Sequence, residues 1–377
     1  MTIATIRTRA VGVPVDKPTR MSNRDLNFRH YLLVEVTTTD GATGVGYTYA
    51  GTGSGLLAKS AVDDLLARVY IGDDANDVVG LWDRAYQETL LEGRRGTVLR
   101  ALSAIDIALW DLRAKQAGLP LVNLLGGSTT ALPAYASGGY YRPDDGEWTD
   151  AVVREIEFNV SQGFTDHKIK VGGLSVAEDS RRVAAAIAAI GDTGRLALDA
   201  NNAYRSVHEA RTAIAAFERA AGDTPLWWFE EPLSPEANAG HAELSRTVRT
   251  PIATGEIHQT RWEFRPLIES GIPILQCDAA VAGGVTEWLR IAHTADTFGL
   301  QMAPHWHHNL HAHLCGAVSN TLVVEYFALE KGIYNFETLL TPETRLRYGG
   351  NHIFLPERPG LGIEFDEAVV RKYELMS

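Results

Sequence analysis

The feature that most constrains this 377-residue chain is a series of apolar runs, each closed by an ionisable residue. Lys170, Asp199, Glu230 or Glu231, Glu256, Asp278, His305 and Glu325 follow at intervals of 29, 31, 26, 22, 27 and 20 residues, counted through Glu230. Each interval holds one strand and one helix. The runs themselves, "LPAYASG", "TDHKIKV", "RLALDAN", "PLWWFEE", "PIATGE", "PILQCDA", "LQMAPHW" and "LVVEYF", read as strands. Between them lie helical segments such as "SVHEARTAIAAFERAAG" and "GGVTEWLRIAHTADTFG". Eight strands alternating with helices predict a TIM-type barrel. The rival, an open doubly wound sheet, does not need so many polar strand ends. In such barrels the C-terminal strand ends carry the chemistry, so seven consecutive ionisable ends describe one site.

The first third has a different rhythm. "IATIRTRAVGV" and "YLLVEVTTTDGATGVGYTYA" alternate like strands around an Asp40-Gly41 hairpin turn, and three helical segments follow, the last ending at Gly118 and Pro120. This predicts an α+β domain ahead of the barrel. The tail "NHIFLPERPGLGIEF" is strand-like again and is expected to return to that first domain. The net charge of −12 argues against a nucleic-acid partner, and no apolar run is long enough for a membrane span. Without an apolar leader, and with Cys277 and Cys315 both in apolar surroundings, the expected setting is cytoplasmic with reduced thiols.

Asp199, Glu230 and Glu256 would close consecutive strands, and three converging carboxylates repel unless a cation joins them. An all-oxygen set favours Mg²⁺ over zinc. "FEEP" offers two glutamates, of which strand alternation admits one to the interior. Lys168 and Lys170, two apart on one strand, share a face. If that face is the barrel interior, each ammonium lowers the other's pKa, making one a general base near neutral pH and the other its tuning charge. Asp278 and His305, from adjacent strands, could form a hydrogen-bonded dyad that fixes the imidazole tautomer. A metal with a base on either flank suits removal of a proton next to a carboxylate, the metal stabilising an enediolate. Glu325, if protonated, could donate to the second carboxylate oxygen.

In this order and spacing, "ALSAIDIALWDLRAKQAGLPLVNLLGG", "KIK", "LDANNAY", "WWFEEPL", "PIATGE", "CDAAVAGGVTEWLRIA", "MAPHWHHNLHAHL" and "PERPGLGIEF" resemble the mandelate racemase subgroup of the enolase superfamily over nearly the whole chain. The resemblance implies an α+β capping domain (1–127), a modified (β/α)₇β barrel (128–345) and a segment returning to the cap (346–377). It implies Mg²⁺ on Asp199, Glu230 and Glu256, choosing the first FEEP glutamate. It also implies Lys170 as one base with Lys168 beside it, the Asp278–His305 dyad as the other, Glu325 as the acid, and Asn201 as a neighbouring polar contact. A homo-oligomer is expected by the same resemblance. The cap stretch "DKPTRMSNRDLNFRH" is a polar loop in this reading, with Arg20, Asn23, Arg24 and Arg29, and "WHHN" adds Trp306 and His307. Arg24, Trp306 and His307 are therefore expected to meet a polyhydroxylated substrate. The expected reaction is loss of water from an aldonate or aldarate. A 2-hydroxy-acid racemase or epimerase is the alternative, and a silent binding protein the third.

Other features have plainer readings. His307 and His311 have helical spacing but no glutamate of an HExxH motif, which leaves zinc unsupported. Asp106 and Trp110, one turn apart on the last cap helix, read as structural.

Overall fold

The computed structural model describes residues 1–376. The cap is a three-stranded antiparallel sheet of β1 (Ile3–Arg20), β2 (Asp25–Thr38) and β3 (Thr43–Tyr49), in that order, with the long helix Thr97–Ala117 on one face. Gly44 and Gly46 let β3 approach that helix closely. A Cβ on either would collide with the backbone carbonyl of Ala108 or Ala104. The stretch 16–30 corrects the sequence reading: it is not a loop but the far end of the β1–β2 hairpin. β1 continues past a register shift between Pro14 and Thr19 because Arg20 pairs its backbone with Tyr141, a partner remote in sequence.

Each of the eight strand segments forms a strand: β4 (Ala131–Gly138), β5 (Asp166–Lys170), β6 (Arg195–Asp199), β7 (Phe229–Glu230), β8 (Ile252–Thr254), β9 (Ile274–Leu275), β10 (Gln301–Met302) and β11 (Val324–Tyr326). β4 to β10 pair in sequence order, all parallel, and β11 pairs in parallel with β4. The remaining junction is slight. Met302 donates its N–H to Asn320 and accepts one from Leu322, both at 2.8 Å, just before β11 begins. Helices separate the strands up to β11, after which short 3₁₀ turns follow instead of a further helix. This is the (β/α)₇β arrangement.

Tyr135, Ala197, Trp228, Ala253, Ile274, Ala303 and Val323 fill one interior layer of the barrel. Two large aromatics against three alanines allow close packing, and Tyr135 meets Trp228 edge-on at 5.2 Å. This layer is the floor beneath the strand ends.

Two links tie cap to barrel. From the cap helix, Asp106 accepts from the N–H and Oγ1 of Thr286, while Trp110 Nε1 donates to the same hydroxyl at 2.9 Å. Thr286 lies in the first turn of the helix Gly284–Thr297, so the pair caps a barrel helix. Beyond β11, the hairpin of β12 (Arg347–Gly349) and β13 (His352–Phe354) pairs antiparallel with β4. The chain then crosses to the cap, where helix Glu367–Tyr373 lies beside β1, Val11 bridges Glu374, and Leu375 donates to the Ala10 carbonyl. Among the described residues no helix is long and apolar enough to cross a membrane.

Candidate active site

Every residue of β5 is buried, and Lys168 and Lys170 project into the barrel, where both meet carboxylates at other strand ends. Two buried ammonium groups are tolerable only if paired. Lys168 Nζ lies 2.6 Å from Glu230, 2.7 Å from Glu325 and 3.6 Å from Asp199. Lys170 is hydrogen-bonded to Asp199 and lies 4.9 Å from the centre of the Tyr140 ring.

Asp199, Glu230 and Glu256 converge as their spacing predicts, offering one oxygen each within 4.8 Å of one another. Glu230, not Glu231, faces inward. Glu231 has a left-handed φ of 42° and points away, accepting from Thr254 Oγ1, Gly255 N–H and Asn202 Nδ2. It fastens the ends of three neighbouring strands together.

Charge at this mouth is unbalanced toward carboxylates. Burial, then the charge of Asp199, pushes Glu230 up to about 8, and burial also raises Glu256. Glu256 Oε2 is buried without a hydrogen-bond partner. Three hard oxygen donors, surplus negative charge and an unpartnered carboxylate oxygen fit a hard divalent cation of the Mg²⁺ kind.

The same surplus overturns two expectations. Burial would strip the proton from either lysine, but Glu230 and Glu325 outweigh it at Lys168, and Asp199 outweighs it at Lys170. Both pKa values are therefore raised, not lowered as the pairing of two ammonium groups predicted. Glu325, expected to hold a proton, is likewise pulled toward its charged form. Burial would raise its pKa, but Lys168 and His305 drive it down; it is ion-paired with Lys168 at 2.7 Å and accepts from the Trp306 N–H at 2.7 Å.

On the other flank, His305 Nδ1 lies 3.1 Å from Asp278 Oδ2, and Nε2 points toward Glu256 at 3.7 Å. Burial opposes protonation of His305, but Glu256 and the Asp278 hydrogen bond raise its pKa to about 9. Asp278 is itself anchored by the Ala280 N–H and flanked by His311, which accepts from Ala279. The side chains of His305, Glu256 and Lys170 keep 16%, 12% and 4% of their exposure, so the site is nearly closed.

The expected substrate contacts fare unevenly. Asn201 sits at the trio with φ 43°, its N–H on Asp199 Oδ1 and its own Oδ1 unpartnered. Arg24 lies exposed at the rim, 3.5 Å from Asn202. Trp306 stacks on His305, but Arg29 covers its ring at 4.0 Å, so it backs the imidazole. His307 is a correction. Trp306 has φ 72°, which turns the chain and sends His307 away among Tyr31, Tyr47, Tyr334 and Phe336, fully buried. Tyr140 and Trp228 were missed: the Tyr140 ring lies beneath the Lys170 ammonium and the Trp228 indole N–H meets Glu230, placements that only the fold makes.

The amino-terminal part matches the family described as "Mandelate racemase / muconate lactonizing enzyme, N-terminal domain" over residues 3–126. Residues 151–369 match "Enolase C-terminal domain-like". The L-talarate/galactarate dehydratase of Salmonella typhimurium is 34% identical, across 91% of this chain and 82% of that protein. The 3,6-anhydro-alpha-L-galactonate cycloisomerase of Streptomyces coelicolor is 30% identical across 97% of both. The solved L-talarate dehydratase from Polaromonas sp. JS666, complexed with Mg and L-glucarate, superposes with a TM-score of 0.85 at 30% identity, covering all of this chain and 98% of that one. Cap, barrel and ringed strand ends thus agree with what both halves match, and the chain belongs to the mandelate racemase/muconate lactonizing enzyme family of the enolase superfamily.

Proposed function

We propose that this chain is a Mg²⁺-dependent dehydratase of an acid sugar, an aldonate or aldarate. The observation that carries this reading is the pairing of unlike groups on opposite flanks of the carboxylate trio. Lys170 lies on one side, and an Asp278-anchored imidazole on the other. Asp199, Glu230 and Glu256 would hold the ion, which when bound supplies positive charge to stabilise what develops on the substrate carboxylate.

Lys170 is the base in this scheme. Asp199 orients its amine and raises its pKa; with that carboxylate engaged by a bound ion, the like charge of Lys168 would be left to favour giving up the proton. Lys168, clamped by Glu230 and Glu325, stays charged and fixes both carboxylates. His305, whose pKa Glu256 and the Asp278 hydrogen bond raise to about 9, can pass a proton to the departing β-hydroxyl, so that C–H and C–O bonds break and water leaves. Tautomerisation of the enol gives a 2-keto-3-deoxy acid. The near closure of the site excludes bulk water from the enediolate. The dehydratases among the relatives support this choice of reaction.

The test is incubation with a panel of acid sugars and Mg²⁺ in D₂O. A 2-keto-3-deoxy product supports the reading. Deuterium incorporation with inversion and no keto product points to a racemase or epimerase, and a ring-opened or ring-closed isomer to a cycloisomerase. Mg²⁺ binding with no exchange across the panel leaves a silent binding protein.

A further inference from the structure

Glu230 is gripped from two sides. Lys168 Nζ holds Oε1 at 2.6 Å, and the indole N–H of Trp228 donates to Oε2 at 2.9 Å. Trp228 and Glu230 are two residues apart, share the interior face, and are both fully buried. Among the three carboxylates, Glu230 is the one with an uncharged side-chain donor. Asp199 is met by Lys170 and by the Asn201 backbone N–H, and Glu256 Oε2 has no partner.

The two grips differ in kind. Lys168 divides its ammonium among Glu230, Glu325 and Asp199, so it supplies charge without fixing one orientation. The indole has a single donor and cannot turn, being wedged edge-on against Tyr135 and 4.3 Å from the Trp227 ring. Resting on the reading of the trio as the Mg²⁺ site, we infer that Trp228 is a positioning residue that holds the Glu230 carboxylate in its cation-binding orientation. Each carboxylate oxygen keeps a lone pair beyond the one spent on the indole or the ammonium. Outer partners of this kind orient metal ligands and govern affinity.

The experiment is calorimetric titration of Mg²⁺, without substrate, into metal-free wild type and Trp228→Phe. Phenylalanine keeps an aromatic ring in the layer and removes the N–H. Mg²⁺ affinity should weaken about tenfold or more, with an unchanged circular dichroism spectrum. Saturating Mg²⁺ should restore turnover, a rescue that a merely structural lesion would not give. Equal Mg²⁺ affinity in the two proteins overturns the inference. A wild type that takes up no Mg²⁺ overturns the metal-site reading itself, and the inference with it. Should Trp228→Phe fail to fold, wild type labelled with ¹⁵N-tryptophan serves instead. One of its eight indole resonances should move in step with Mg²⁺ saturation, and none moving overturns the proposal.

Discussion

His305 and Asp278 stand just past the ends of neighbouring strands with Nδ1 and Oδ2 3.1 Å apart, and the imidazole pKa is raised to about 9. Glu256 contributes first to that rise and the Asp278 hydrogen bond second, both against burial. Asp278→Asn should lower the His305 pKa and free the ring to adopt the other tautomer. Turnover at neutral pH should fall by roughly 10²–10⁴, the usual worth of a positioned acid or base. The alkaline limb of the pH–rate profile should move to lower pH. An unmoved limb would remove the dyad from the mechanism.

Lys168→Met leaves Glu230 and Glu325 facing each other without their shared ammonium. Breaking a buried ion pair from one side costs roughly 3–5 kcal/mol. Chemical denaturation of the metal-free variant should show a loss of that order, and Mg²⁺ should recover part of it by supplying the missing positive charge. Loss without recovery would place the cation elsewhere.

Glu256→Gln removes one member of the trio and should weaken Mg²⁺ binding beyond the roughly 10–100-fold that an outer partner is worth. In wild type, Mg²⁺ should raise the melting temperature and a chelator should reverse it. Identical Mg²⁺-induced shifts in the two proteins would take Glu256 out of the site.

Burial pushes the pKa of five histidines far down. From an ordinary 6.5, burial lowers His307 to about 3 and His167, His241, His311 and His313 to about 4. Below pH 6.5 the unfolded chain takes up protons that the folded chain refuses. Stability should therefore fall as pH drops from about 6.5 toward 4, by up to about 1.4 kcal/mol per pH unit for each ring. Denaturation midpoints measured from pH 7 to 4 check this, and a flat series would refute it.

Asp106 works in the opposite sense. Burial raises it from 3.8 to about 7, partly offset by Thr286, so the folded protein keeps a proton that the unfolded chain releases. Its contribution is complete below pH 3.8 and lost as pH rises through about 7. Asp106→Asn should flatten stability between pH 5 and 8 relative to wild type. If both proteins lose stability equally over that range, Asp106 is not the group responsible.

The barrel was legible because its signal is repeated: an apolar run, a polar end, a helix, eight strands long. The carboxylate trio followed from the same spacing. Proton states did not follow, since "KIK" displays two like charges while the facing carboxylates of Glu230, Glu325 and Asp199 lie on other strands. The choice within "FEEP" was open for a related reason. Trp227 and Trp228 are both hydrophobic, so nothing local says which parity faces in. The hairpin at 16–30 looked like a loop because Arg20 finds its pairing partner at Tyr141, and His307 was misplaced because the left-handed turn at Trp306 has no glycine to announce it.

The outer edge of β1 is sealed by Val11 bridging Glu374 and Ala10 accepting from Leu375, nearly the whole chain away. A ribosome making this protein therefore releases the cap's first strand long before its covering arrives. Until Glu374 and Leu375 follow, this middle stretch of the edge, unlike Ile3 beside Gly72 and Asp73, offers unpaired backbone groups to neighbouring chains.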